Sequence, residues 1–337
     1  MTALSPMNYN EPSTKRKDST MYLSVIIPCY NEEKVIRLTH QALHKVLDAD
    51  AQTRNYRYQM IFINDGSHDK TADILKELCE QDPCSRYISF SRNFGKESAM
   101  LAGLQYSEGE CVVIMDADMQ HPPELIPTLL SYYEEGYDQV VTKRTRTGDA
   151  KRKTLLAKLY YKIVNSMIDV QLDDGVGDFR LLSRNAASAL LSLTEYNRFS
   201  KGLFSWIGFK TKVIEMENNK RAAGETKWSL RSLLHYGIEG IISFNNKPLR
   251  LCFYFGTILI SLSIIYVLYL LYSYMRYGID TPGYFTTISA ILFIGGIQLF
   301  CIAILGEYIG RIYYEVKRRP HYIIDETNLD QKPYRRR

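Results

Sequence analysis

The stretch Cys111-Val-Val-Ile-Met-Asp-Ala-Asp118 decides how the N-terminal part of the chain is expected to fold. Five apolar residues lead directly into two carboxylates that are one residue apart. A continuous apolar run bounded by polar residues predicts a strand that is buried on both faces, as in the parallel sheets of α/β proteins. Ligands bind beyond the carboxyl ends of such strands, so Asp116 and Asp118 are expected to lie at a binding site.

The same pattern of an apolar run followed by polar residues recurs along the chain. The other predicted strands are Tyr22–Ile27, Tyr58–Ile63, Arg86–Phe90 and Asp138–Thr142. Segments with helical spacing lie between these runs, and this alternation predicts an α/β domain with a mostly parallel sheet. We place the domain at residues 21–228, after a polar leader at residues 1–20 that is predicted to be disordered.

Two long apolar stretches in the last third of the chain argue against a fully soluble protein. Leu251–Tyr274 and Tyr284–Gly306 contain no Asp, Glu, Lys or Arg, and each exceeds the roughly 20 residues that a helix needs to cross a membrane. We predict two transmembrane helices within residues 248–311, after an amphipathic interfacial segment at 229–247 and before a basic tail at 312–337. Basic residues lie mostly outside the loop between the spans, which predicts that the α/β domain and both termini are cytoplasmic.

Composition excludes other classes of function. The net charge of +5, from 42 basic and 37 acidic residues, is too small to indicate a nucleic-acid partner, and we predict none. The six cysteines have no CxxC spacing and no disulfide framework. They are predicted to be reduced thiols of a protein that faces the cytosol.

Two carboxylates that are one residue apart can share a hard divalent cation. Mg²⁺ or Mn²⁺ commonly links such groups to the phosphates of a substrate. An isolated match of this kind is more often a solvated turn. The position of Asp116 and Asp118 directly after a buried strand favours the metal site.

Six segments, in chain order, carry a more specific signal. They are Val25–Glu32, Asn64–Ser67, Ser91–Lys96, Asp116–Glu124, Gly177–Leu181 and Arg221–Lys227. Together they resemble the motifs of family 2 glycosyltransferases, and more narrowly those of the bactoprenol glucosyltransferases and dolichol-phosphate mannose synthases. The resemblance extends from Met21 to Lys317 and implies a GT-A fold, and also a homo-oligomer, a tetramer.

The resemblance also implies roles for residues at matching positions. The residues that would line the nucleotide-sugar pocket are Pro28, Tyr30, Glu32, Asp65, Ala117, Arg144 and Arg152, with Asp65 accepting a hydrogen bond from the base. The catalytic residues would be Asp116, Asp118 and Asp178. The ligands of Mg²⁺ or Mn²⁺ would be Asp116, Asp118 and Gln120. The residues that would bind the acceptor phosphate are Arg180, Arg221 and Lys227.

These roles imply an inverting glycosyltransferase in the cell (plasma or inner) membrane. It would move a hexose, with glucose favoured, from a UDP-sugar to undecaprenyl phosphate, and so form a polyprenyl-phosphate sugar for glycosylation of the cell envelope. GDP-mannose and UDP-N-acetylglucosamine stay open as donors. Asn64 favours glucose, because mannosyl-transferring members often have Asp at this position.

Two other functions fit the sequence less well. A processive polysaccharide synthase is disfavoured, because the chain has no QxxRW motif and too few predicted spans to build a polymer channel. A non-catalytic membrane scaffold or flippase partner is the alternative outside the enzymes. The intact carboxylates Asp116, Asp118 and Asp178 argue against it.

Overall fold

The computed structural model of the chain describes residues 20–145, 165, 175–216, 247–277 and 283–330. These residues belong to two compact units. The first unit contains the described residues up to 145, together with 175–216 and 320–330. The second contains 247–277 and 283–319. Much of the predicted interfacial segment and the predicted leader lie outside the described residues.

The described part of the first unit is a mixed sheet with helices between its strands. The strands are β1 (Tyr22–Cys29), β2 (Arg57–Asn64), β3 (Ser85–Phe90), β4 (Cys111–Ile114), β5 (Gln139–Arg144), β6 (Val176–Ser183), β7 (Thr211–Met216) and β8 (Ile324–Thr327). The helices are α1 (Ile36–Arg54), α2 (Thr71–Gln81), α3 (Lys96–Tyr106), α4 (Ile126–Glu134), α5 (Arg184–Ser192) and α6 (Ser200–Trp206), and a 3-10 turn covers Pro123–Leu125.

The strand order across the sheet is β7-β5-β6-β4-β1-β2-β3-β8. The four central strands β4, β1, β2 and β3 are parallel neighbours, as their apolar runs predicted. β6 runs antiparallel between β4 and β5, and β8 runs antiparallel to β3. The sheet is thus mostly parallel, as predicted, and β6 and β8 are the two described strands that run the opposite way. Strand direction depends on the path of the connections, which the spacing of apolar residues does not encode.

The core lies against the central strands, where both faces of the sheet are covered. Val25, Ile26 and Ile27 of β1 are all fully buried. Helix α3 lies so close to β1 that a Cβ atom at Gly103 would come within 2.3 Å of Ile26 Cγ2. This close packing explains a glycine inside a helix, since any side chain would push the helix off the sheet.

The second unit contains the helices α7 (Lys247–Tyr277) and α8 (Tyr284–Lys317). Among the described residues, one helical stretch, Phe293–Lys317, is long and apolar enough to cross a membrane. The apolar part of α7, Tyr254–Tyr266, is shorter. The structure thus supports one candidate span, and the prediction of two spans is not confirmed.

The strand β8 lies within the segment that the sequence predicted to be a basic tail. It pairs with β3 through Ile88 and Thr327, at the edge of the sheet. Tyr322, just before β8, stacks on Phe90 with ring centroids 4.9 Å apart. The chain after α8 therefore returns to the first unit and covers the edge of β3.

Candidate active site

The loops after β1 and β2 leave the same edge of the sheet and are joined by hydrogen bonds. Asn31 N donates to Ser67 Oγ at 2.9 Å, and Glu32 N donates to Thr71 Oγ1 at 2.9 Å. These contacts hold the β1 loop against the start of α2. The predicted pocket residues carried by β1 and this loop are Pro28, Tyr30 and Glu32.

Asp65, at the end of β2, anchors the loop that precedes α3. Its carboxylate accepts hydrogen bonds from Phe94 N at 2.7 Å and Gly95 N at 2.9 Å. Burial raises the pKa of this carboxyl, and the two backbone hydrogen bonds oppose the rise. Since Asp65 is only 4% exposed, its observed contact is with the loop, and a contact with a nucleotide base stays a prediction.

Gly66 allows the turn after β2 to approach this loop. Its φ is +62°, and a Cβ atom here would lie 2.2 Å from the carbonyl carbon of Arg92. Both the backbone conformation and the available space therefore require glycine. The turn and the loop together fix where α3 begins.

The register of the sheet brings Asp116 and Asp178 together. Ile114 on β4 pairs with Arg180 on the antiparallel strand β6, so the residue two past Ile114 lies near the residue two before Arg180. Lys96 Nζ, at the start of α3, lies 2.6 Å from Asp116 Oδ1 and 2.6 Å from Asp178 Oδ2. One ammonium group thus bridges carboxylates that come from two different strands.

Neighbouring charges keep Asp178 ionised. Burial opposes ionisation of this carboxyl, but Lys96 and Lys201 outweigh burial and hold its pKa well below the usual range. Burial also disfavours the charged form of Lys96, yet Asp116 and Asp178 raise the pKa of its ammonium above the ordinary value. At neutral pH the cluster therefore contains a carboxylate and an ammonium rather than a neutral pair.

The turn after β4 is held by hydrogen bonds among its own residues. Asp118 Oδ1 accepts from Gln120 N at 3.1 Å, and His121 Nδ1 accepts from Asp116 N at 3.1 Å. Burial lowers the pKa of His121, which is 2% exposed, so its imidazole is neutral. Arg144 Nη2 donates to Gln120 Oε1 at 3.0 Å, which places the guanidinium beside the predicted metal ligands.

The oxygen atoms of this turn fit a hard divalent cation. Asp116 and Asp118 are both partly exposed and offer carboxylate oxygens, and Gln120 offers an amide oxygen. Mg²⁺ is usually bound by one or two carboxylates and completes its coordination with water and substrate phosphates. Among the described residues, no group of three His, Cys, Asp or Glu side chains could hold a metal ion unaided. The donor set therefore fits a cation that binds together with a diphosphate.

Two residues that the sequence associated with the donor have packing contacts. Ala117 is 2% exposed, and its carbonyl oxygen accepts from Thr39 Oγ1 at 2.7 Å. Asn64 is also 2% exposed, and its Nδ2 donates to Ser89 Oγ at 2.8 Å across neighbouring strands. Both residues pack beneath the site. The preference for glucose that was inferred from Asn64 is therefore not supported by a contact of this side chain in the structure.

The residues predicted to bind the acceptor phosphate are only partly described. Arg180 is 2% exposed, its guanidinium carbon lies 3.6 Å from the centroid of the Phe204 ring, and Nη2 donates to Gly177 O at 2.7 Å. Arg180 therefore lies in the interior near Asp178. Three further predicted residues are outside the described part of the chain: Arg152, Arg221 and Lys227.

Sequence reasoning assigned no role to Lys96, Glu97 or Lys201. Glu97 accepts a hydrogen bond from Ser200 N at 3.2 Å, and burial raises the pKa of its carboxyl to about 7. One signal could have found Lys96 and Glu97, because they begin a helix that follows the carboxyl end of a predicted strand. Lys201 carried no such signal, since its approach to Asp178 depends on tertiary packing.

Comparisons with known proteins find matches that extend over most of the chain. The glycosyl transferase family 2 model matches residues 24–191, and the GtrB C-terminal hairpin model matches residues 247–312. A protein of Bacillus subtilis (strain 168) that is named as a glycosyltransferase, CsbB, is 53% identical over 92% of this chain and 93% of its own length.

Two relatives carry a more specific name. The SfII prophage-derived bactoprenol glucosyl transferase of Shigella flexneri is 39% identical over 91% of this chain and 99% of its own. The prophage bactoprenol glucosyl transferase homolog of Escherichia coli (strain K12) is 38% identical over 90% and 98%. Among solved structures, the mannosyltransferase PcManGT of Pyrobaculum calidifontis matches with a TM-score of 0.45 at 12% identity, covering 89% of this chain and 87% of that one.

Proposed function

Because the chain belongs to glycosyltransferase family 2, we propose that it transfers glucose from UDP-glucose to undecaprenyl phosphate, with inversion at the sugar. The observation that carries the proposal is that Lys96 pairs with both Asp116 and Asp178. In the proposed reaction Asp116 would lie on the donor side and Asp178 on the acceptor side. The names of two relatives that match over at least nine tenths of the chain support glucose and the bactoprenol lipid.

The donor diphosphate would lie at the turn after β4. Asp116, Asp118 and Gln120 would hold Mg²⁺ or Mn²⁺ there, and the bound cation would neutralise the charge that develops on the departing UDP. Arg144, which already contacts Gln120, would donate to the diphosphate from the same side. We assign Arg152 the same role. Pro28, Tyr30 and Glu32 would line the pocket for the base and ribose, and Asp65 would accept a hydrogen bond from the base. Ala117 would line the nucleotide-sugar pocket.

The acceptor phosphate does not require a strong general base. The second pKa of a phosphate monoester is about 6, so much of the lipid phosphate is dianionic at neutral pH. One of its oxygens would attack C1 of glucose as the bond from C1 to the UDP oxygen breaks. Asp178 would orient the reacting groups rather than remove a proton, since its own low pKa makes it a weak base. Arg221 and Lys227 would bind the acceptor phosphate. The buried Arg180 would add positive charge from the protein interior.

The membrane arrangement forms part of the same proposal. Helices α7 and α8 would each cross the cell membrane, with the catalytic domain and both termini in the cytoplasm, and residues 229–247 would lie in the interface. The acceptor lipid would then be reached in the cytoplasmic leaflet, on the same side as the UDP-sugar. We also propose a homo-oligomer, a tetramer.

A competition between donors tests the proposal. The purified full-length enzyme, in detergent with undecaprenyl phosphate and Mg²⁺, would receive UDP-glucose, UDP-N-acetylglucosamine or GDP-mannose, each with a labelled sugar. We expect label to enter the lipid extract from UDP-glucose at least about tenfold faster than from the other two, as for a pocket that hydrogen-bonds its own substrate. Label that enters only from GDP-mannose, or from none of the three, would overturn the proposal.

A further inference from the structure

We propose that the divalent cation exchanges with Lys96 at Asp116, so that binding of the metal and donor leaves the ammonium with Asp178, on the acceptor side of the site. The inference rests on the proposed function for the identity of the donor and the acceptor. The exchange itself concerns only Lys96, its two carboxylates and the cation.

Lys96 occupies an oxygen of Asp116 that a bound cation would use. Lys96 Nζ lies 2.6 Å from Asp116 Oδ1, a short charge-assisted contact that occupies one of the two oxygens a cation would use. An ammonium group at that distance also repels a divalent cation bound to the same carboxylate. The two cations therefore compete for Asp116, and either one weakens the binding of the other.

The side chain of Lys96 can move while the backbone that carries it is held in place. Lys96 follows Gly95, whose N–H is held by the carboxylate of Asp65 at 2.9 Å, and it is the first residue of α3. The side chain of Lys96 is nevertheless 41% exposed, against 18% for Asp178. The ammonium can thus leave Asp116 by rotation about the bonds of its four-carbon stem, without any change in the fold.

The ammonium of Lys96 stays with Asp178 after it leaves Asp116. Asp178 holds it at 2.6 Å and is the better buried of the two carboxylates, so this contact remains when Asp116 binds a cation. Lys201 also acts on Asp178. Together with Arg180, these cationic groups outnumber the carboxylate of Asp178 on which they act, which suits a phosphate dianion. Filling the donor site would therefore prepare the acceptor site, and Lys96 acts as a positioning residue between the two.

Mn²⁺ binding to the full-length enzyme in detergent with UDP present tests the exchange without any sugar transfer. Binding is measured as the loss of the EPR signal of free Mn²⁺, relative to a sample of Mn²⁺ and UDP without protein. Lys96→Gln removes the competing charge, and we expect it to bind Mn²⁺ about tenfold more tightly, the size of effect that one nearby charge has on a carboxylate. Lys96→Arg keeps the charge in a planar fork that can pair with a carboxylate through two hydrogen bonds, so it should bind Mn²⁺ no more tightly than wild type. Lys76→Gln removes the same charge from α2, where Lys76 forms an exposed ion pair with Glu326 of β8, and it should leave Mn²⁺ affinity unchanged.

Unchanged or weaker Mn²⁺ binding by Lys96→Gln would overturn the exchange and leave Lys96 as a purely structural ion pair. If the Gln variant does not fold, Lys96→Arg decides alone, and tighter Mn²⁺ binding by that variant would contradict the proposal. A second readout is the KM for undecaprenyl phosphate, which we expect to rise at least about tenfold in Lys96→Gln at saturating Mn²⁺ and donor. Tighter Mn²⁺ binding in a protein whose wild type transfers no glucose would uphold the exchange and reject the proposed function instead.

Discussion

The carboxylate of Glu97 accepts a hydrogen bond from the backbone N–H of Ser200 at 3.2 Å, and so joins the start of α3 to the start of α6. The Ser200 hydroxyl donates to the same carboxylate. These contacts lie next to Lys96 in one helix and next to Lys201 in the other. A buried polar pair thus fixes the spacing of the two lysines that act on Asp178.

Folding stability should depend on pH through Glu97. Burial raises the pKa of its carboxyl to about 7 in the folded protein, against about 4.3 in an unfolded chain. Between these values the folded protein holds a proton that the unfolded chain has released, so this contribution is complete below about pH 4 and is lost as pH rises to about 7. The loss amounts to at most about 4 kcal/mol.

The variant Glu97→Gln mimics the protonated carboxyl and should remove this part of the pH dependence. Thermal unfolding of the full-length protein in detergent, measured from pH 4.5 to 8, provides the comparison. Glu135→Gln, an exposed acid at the end of α4, serves as the matched control and should keep the wild-type slope. Parallel profiles for wild type and Glu97→Gln would show that Glu97 does not titrate in this range.

Gly66→Ala should destabilise the catalytic domain strongly. The new Cβ atom would meet the carbonyl carbon of Arg92 at 2.2 Å, and the residue has a φ of +62°. Gly136→Ala is the control, since Gly136 has a φ of +86° with open space around its Cβ position. We expect a cost of about 1 kcal/mol at Gly136, from backbone strain alone, and a larger one at Gly66. Equal shifts in melting temperature would mean that the contact between the two loops is unimportant.

Asp118→Asn should abolish transfer while the protein stays folded, because the change removes the charge of a metal ligand and keeps its shape. We expect a loss of at least about 100-fold in kcat, comparable to the loss of one preorganised electrostatic contact. EDTA should inhibit the wild type equally, and added Mg²⁺ or Mn²⁺ should restore activity. Glu124→Gln, an exposed residue in the same segment, should keep wild-type activity. Full activity in EDTA would rule out the metal.

The central strands could be predicted from the sequence because local pattern and tertiary environment agree there. Tyr22–Ile27 was predicted as a strand, and the structure gives Tyr22–Cys29. β8 could not be predicted, since Ile324–Thr327 contains two acidic residues and no apolar run. Pairing with the free edge of β3 forms this strand, and such a long-range contact leaves no local pattern.

The candidate site also combines residues that a local sequence pattern locates with contacts that depend on the tertiary structure. Asp116 and Asp118 could be located because they end an apolar strand, whereas Asp178 was identified from the family resemblance. The bridge through Lys96 could not be predicted. It depends on the antiparallel register that pairs Ile114 with Arg180, and the sequence gives neither that register nor its direction.

Tyr322→Ala should weaken the attachment of β8 to the edge of the sheet. The ring stacks on Phe90 at 4.9 Å between centroids, and the hydroxyl donates to Gln105 Oε1. Loss of the stacking and of the hydrogen bond should cost about 1–3 kcal/mol. Ile323→Ala, at a neighbouring side chain that is 52% exposed, should cost less than about 0.5 kcal/mol. Hydrogen exchange of the β8 amides would report the loosening, and equal protection in both variants would contradict it.

The most direct measurement is mass spectrometry of the lipid fraction after wild type and Asp116→Asn have been incubated with UDP-glucose and undecaprenyl phosphate. We expect the wild type to convert undecaprenyl phosphate into a lipid heavier by one hexose and to release an equal amount of UDP. Asp116→Asn should leave the lipid unchanged. Undiminished product from Asp116→Asn, or release of UDP and free glucose with the lipid unaltered, would contradict glucosyl transfer to undecaprenyl phosphate at this site.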